Sequence, residues 1–172
     1  IPGRDEDAAA TGDLDVIGDV ELVGAGASAS ILDGGGLDGV IEVLGGDVTI
    51  RGLTVRGGDE GGGISSDCSG DCPTGIRVLD SAVRDNDGVG IFAVAELMVA
   101  GTTVADNGGV GIVPLRVLSL ADSTVSGNLR GIGGCCTFIE VVRSMIRDNG
   151  LGPSAPGCGG GISHASGGLQ LT

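Results

Sequence analysis

Four segments, IRVLDSAVRDN (76–86), LMVAGTTVADN (97–107), LSLADSTVSGN (118–128) and IEVVRSMIRDN (139–149), decide the fold, because they superimpose at a fixed interval of 21 residues. Each alternates aliphatic and polar residues, the spacing that places apolar side chains on one face of a strand, and each closes on Asn. An interval of this size predicts a solenoid of stacked rungs rather than a globule closed around one core.

Aligning the rungs gives four aliphatic columns. They are Val48, Ile76, Leu97, Leu118, Ile139, Leu169; Ile50, Val78, Val99, Leu120, Val141, Leu171; Val55, Val83, Val104, Val125, Ile146; and Ile64, Ile91, Ile112, Ile132, Ile162. Most members are β-branched, which suits strands and penalises helix. One rung cannot bury them alone, whereas rungs stacked about 4.8 Å apart can, at roughly 1.5–3 kcal/mol per side chain. The fold class expected is therefore all-β, a single-stranded parallel β-helix. The column Asn86, Asn107, Asn128, Asn149 is read as an internal amide ladder at a corner whose left-handed backbone Asn tolerates. Ser81, Thr102, Ser123 and Ser144 form a second small polar column at another corner.

The 172 residues leave room for one elongated domain of about seven rungs. Residues 1–47 form an irregular cap and first rungs; residues 48–172 form regular rungs with insertions at 66–75 and 151–158. The 37 glycines have no three-residue period, so they mark turns and not collagen. With no Trp or Tyr and only Phe92 and Phe138, the core must be aliphatic. All nine basic residues are Arg and the net charge is −14, a surface that repels phosphate backbones and argues against a nucleic-acid partner. No run of about 20 apolar residues could span a bilayer as a helix.

The chain opens on Ile1 with no charged-then-apolar leader, as in a mature or excised piece. It stops at LQLT (169–172), in register with IRVL and LSLA. An open apolar rung with free strand edges is expected there, available for self-association through Leu169–Thr172 or for continuation of the chain.

Cys68 and Cys72 share one insertion, Cys135 and Cys136 are adjacent, and Cys158 lies in the other insertion. No CxxC spacing supports zinc, so the expectation is a Cys68–Cys72 disulfide plus one joining Cys158 to Cys135 or Cys136 in an oxidising compartment, with one thiol left over. His164, the single imidazole, reads as a surface turn residue and not the base of a nucleophilic Cys. Asp80 with Asp122, or Asp85 with Asp106, could be paired acids of a glycosidase type, but their repeat positions read first as a solvated face. Asp59, Glu60, Asp67 and Asp71 are weak Ca²⁺ candidates, the only cofactor the sequence raises, without EF-hand or GGxGxD spacing. Thr54, Thr103 and Thr124 share a column, but Ala82 and Met145 interrupt it, too irregular for an ice-binding face.

The units LSLADSTVSGN and DVTIRGLTVRGG, the latter followed by GGGIS, and the lead-in EDAAATGDLDVIGDVELVGAGASASILDGGG resemble the right-handed parallel β-helix surface proteins of the bacterial CSLREA-domain and polymorphic-outer-membrane-protein-like group. The amino-terminal signature that names the group is absent. The resemblance implies right-handed winding, in line with the general preference for right-handed crossovers, together with export and a structural or adhesive role at the cell surface. Its partner would be a surface glycan, a protein ligand or another copy. The alternative, a polysaccharide lyase or hydrolase, rests on fold analogy alone; it lacks the aromatic platforms and clustered basic groups such a cleft needs.

Overall fold

The structure, a computed structural model, describes residues 12–68, 72–134, 137–150, 160–164 and 167–172. Three all-parallel sheets run the length of a parallel β-helix of about seven rungs. The first sheet stacks Leu14–Val16, Ile41–Val43, Ile64–Ser66, Ile91–Ala93, Val110–Pro114, Arg130–Gly134 and Ile162–His164. The second stacks Val20–Val23, Asp47–Arg51, Gly75–Leu79, Glu96–Ala100, Val117–Ala121, Thr137–Val142 and Gly167–Leu171. The third stacks Ile31–Asp33, Thr54–Arg56, Ala82–Arg84, Thr103–Ala105, Thr124–Ser126 and Met145–Arg147.

All four aliphatic columns are vertical stacks. Leu97 pairs in register with Ile76 below and Leu118 above, Val104 with Val83 and Val125, and Ile112 with Ile91 and Ile132. Alternation becomes burial: in Glu96–Ala100, Leu97 and Val99 are buried while Glu96 and Met98 face out. The interior is one aliphatic cluster from Val16 to Val141. Among the described residues no helix is long and apolar enough to cross a membrane.

The first rungs, irregular in sequence, still pair in register, Val20 on Val48 and Leu22 on Ile50. In one strand there the core residue is not the first aliphatic one. Ile31 is 47% exposed, and Leu32 instead stacks on Val55 and packs on the core. In the strand Ile31–Asp33 the inward residue is the second aliphatic one and not the first, and a one-residue slip swaps faces.

Gly63, Gly90, Gly111 and Gly131 occupy equivalent places at the start of first-sheet strands. A Cβ on Gly111 would lie 2.8 Å from the Asn128 amide nitrogen, 2.8 Å from the Gly131 carbonyl oxygen and 2.9 Å from a Val125 methyl. The glycine column therefore lets the first sheet close on the asparagine corner. Gly111→Ala is expected to lower stability by about 2–3 kcal/mol through overpacking, read as a lower urea midpoint at unchanged m-value.

Candidate functional site

The most ordered chemistry lies at the two polar corners. In the asparagine ladder, the backbone N–H and the side-chain Nδ2 of Asn86 both donate to Asn107 Oδ1, at 3.2 and 2.8 Å. Asn107 does the same to Asn128 Oδ1, at 3.1 and 2.8 Å, and Asn128 to Asn149 Oδ1, at 3.0 and 3.0 Å. The amides of Asn107, Asn128 and Asn149 also donate back to the preceding rung, to the Val83, Val104 and Val125 carbonyls, while that of Asn86 donates to the Arg84 carbonyl of its own rung. Asn86, Asn107 and Asn128 are buried, so every polar atom must find a partner inside the protein. The hydroxyl ladder works likewise: the N–H groups of Ser81, Thr102 and Ser123 donate to Thr102 Oγ1, Ser123 Oγ and Ser144 Oγ.

The left-handed residue at each corner is not the ladder residue. It is the one before it: Asp80, Asp122 and Arg143 precede the hydroxyl ladder, and Asp85, Asp106 and Asp148 precede the amide ladder, all at φ between 46° and 56°. Gly52, Gly101, Gly57 and Gly127 fill the same places in other rungs. The sharp bend thus falls on a short acid, a glycine or, in one rung, Arg143, and Asn is selected for its two-way amide.

This places the acids singled out in the sequence. Asp85 and Asp106 are corner residues of adjacent rungs, and Asp80 and Asp122 are two rungs apart with Gly101 between them. The Asp80 and Asp106 carboxylates lie over Gly101 and Gly127 of the next rung, where a Cβ would meet them at 2.6 and 2.1 Å. Asp85 is ion-paired with Arg84 and Asp148 with Arg147. Arg143 holds Asp122 with a fork, Nε to Oδ1 at 2.8 Å and Nη2 to Oδ2 at 2.6 Å. That hydrogen bonding holds the Asp122 carboxyl below the ordinary aspartate range and raises the Arg143 guanidinium. Asp33 is lowered in the same direction, first by the Gly35 N–H and then by Arg56.

Among the described residues one trio of acidic side chains converges: Asp13, Asp15 and Glu42, each with one carboxylate oxygen within 4.8 Å of the other two. Such oxygens could supply part of the ligand set of a hard cation, which takes six to eight for Ca²⁺. The trio arises because Asp15 and Glu42 are register partners at the outer face of the first sheet. Aligning Leu14 with Ile41 in the sequence would have revealed it. Asp59, Glu60 and Asp67 do not form such a group, and Asp71 lies outside the described residues.

Cys68 and Cys72 form a disulfide across the 66–75 insertion, with Cα atoms 4.5 Å apart. Cys135, Cys136, Cys158 and the insertion at 151–158 lie outside the described residues, and for His164 only its strand position opposite Gly134 is described.

Compared with protein-family models, with curated proteins and with solved structures, the chain matches none. The class that the coordinates define is therefore the parallel β-helix itself.

Two outcomes follow from the corners. Asn107→Ala removes the acceptor of two buried donors on Asn86, at about 1–3 kcal/mol for each group left unpaired, so a loss near 3 kcal/mol is expected in urea unfolding. Arg143→Ala should return the Asp122 titration, followed by carboxyl NMR, upward to the ordinary aspartate range. Because the folded-state value is depressed, the stabilisation from this pair is present above about pH 4 and lost as pH falls through the lowered value.

Proposed function

We propose that this chain is a non-catalytic, secreted or cell-surface β-helix serving as a structural or adhesive element that associates end to end. The observation that carries the reading is the in-register stacking of rung on rung through all three sheets, in which each strand edge is a template for another. Columns that are fully buried along the rod come out at Leu169 and Leu171, which are 48% and 63% exposed. Beside them an apolar recess of about 540 Å³ is lined by Val141, Ile146, Ile162 and Leu171. Stacked strand edges with aliphatic side chains in register offer another rung both hydrogen bonds and burial, and a contact between unlike ends propagates instead of closing.

The corner acids support the non-catalytic half, since their positions are explained by backbone bends, by close approach to glycine and by ion pairs. The Cys68–Cys72 disulfide supports an oxidising compartment. The resemblance of the repeats to bacterial surface proteins supports the location.

Light scattering coupled to size exclusion should find concentration-dependent oligomers of the 172-residue chain. Leu171→Asp should shift them to monomer without lowering the free energy of unfolding in urea by more than about 1 kcal/mol. A monomer at every concentration overturns end-to-end association, and new reducing ends or unsaturated products from a polysaccharide panel overturn the non-catalytic reading.

A further inference from the structure

The outer face of the second sheet carries a column of side chains beside the core: Asp47, Gly75, Glu96, Val117 and Phe138 in successive rungs. Gly75 leaves a gap in it. Unlike Gly111 and Gly131, whose Cβ would strike backbone, Gly75 has no positive φ, and a Cβ there would meet first the Asp47 carboxylate at 3.2 Å, the movable end of a side chain. The fold does not require glycine at this place. A strand glycine without a structural cause is where a ligand can approach the backbone closely.

The gap is the floor of a groove of about 350 Å³, near the lower end of the range for small-molecule sites, about 300–1,000 Å³. Asp47 and Glu96 stand on either side of it, two strand spacings or about 9.6 Å apart at the backbone. Arg77, ion-paired with Asp47, supplies donors, the Thr74 hydroxyl, which donates to the Gly46 carbonyl, supplies an acceptor, and Met98, 44% exposed, and Val117 supply an apolar flank. Donors and acceptors set close to an apolar flank match a pyranose ring, whose hydroxyls both donate and accept and whose C–H face is apolar. Two carboxylates against one guanidinium, on a chain of net charge −14, disfavour uronate, sialate or sulfate groups.

We infer that the Gly75 notch is a binding subsite for a neutral sugar residue of a surface glycan, held by Asp47, Arg77 and Glu96. The inference rests on the adhesive part of the reading above but uses a different surface from the assembling end.

Met98 and Met145 are the only methionines in the chain, one at the notch and one on the third sheet, so methyl-labelled methionine reports binding with a built-in control. The labelled 172-residue chain is titrated with cello-, malto-, manno- and chito-tetraose. At least one is expected to move the Met98 methyl saturably, with a Kd on the order of 1 mM, while Met145 stays still. Gly75→Val fills the notch with a residue suited to strands and should weaken binding at least tenfold; Glu96→Ala, at an exposed position, should do the same if the valine variant folds poorly. No Met98 response up to about 20 mM in any sugar, an undiminished response in the variants, or a response to a lysine-rich peptide instead of the sugars overturns the subsite. Because oligomer formation is read separately by scattering, failure of the notch leaves the assembling rod standing, and failure of assembly leaves the notch standing.

Discussion

A buried side chain that must be satisfied by a copy of itself one strand spacing away is the constraint on which the rest of this molecule depends. Aliphatic residues meet it by stacking, and Asn meets it because its amide accepts on one side and donates on the other. Any other polar group in the interior would leave lone pairs or protons without partners, at a cost comparable to a large share of a domain's stability. Hence, among the described residues, the buried polar side chains are small hydroxyls and Asn, set among aliphatic ones, and no charged residue is buried.

That constraint makes the columns readable without coordinates. Leu97 over Ile76 under Leu118 follows from the 21-residue interval, because a rung in a closed coil has nowhere to slip. What the alignment cannot carry is how a corner divides its work between neighbours. The sequence column of Asn suggested that Asn itself takes the left-handed backbone, whereas Asp85, Asp106 and Asp148 take it and Asn supplies the amide. Two adjacent residues invariant in role look alike as a motif, and only dihedral angles separate them.

Similar reasons explain the remaining differences. In the first rungs the interval varies, so the choice between Ile31 and Leu32 as the core residue turns on one unit of phase. Asp13, Asp15 and Glu42 are brought together by pairing across an irregular interval, so their proximity is invisible in a 21-residue alignment. The paired acids, by contrast, were legible as repeat positions; what the structure adds is the reason each is acidic. Gly75 was hidden among 37 glycines, and only its place in the second sheet, beside the Asp47 carboxylate at the floor of a groove, marks it.

The asparagine ladder also has a direction. Each Oδ1 accepts from the rung before it, and one amide hydrogen of Asn86, Asn107 and Asn128 passes onward to the next Oδ1, so the same arrow repeats from Asn86 to Asn149. The ladder opens on an acceptor, Asn86 Oδ1, which takes the Gly58 N–H, and closes on a donor, the Asn149 amide. Two identical extremities brought face to face would set like against like, leaving amides in conflict beneath any apolar contact. The rod is in this sense polarised, like a row of bar magnets laid nose to tail, and anything that lengthens it must arrive facing the same way.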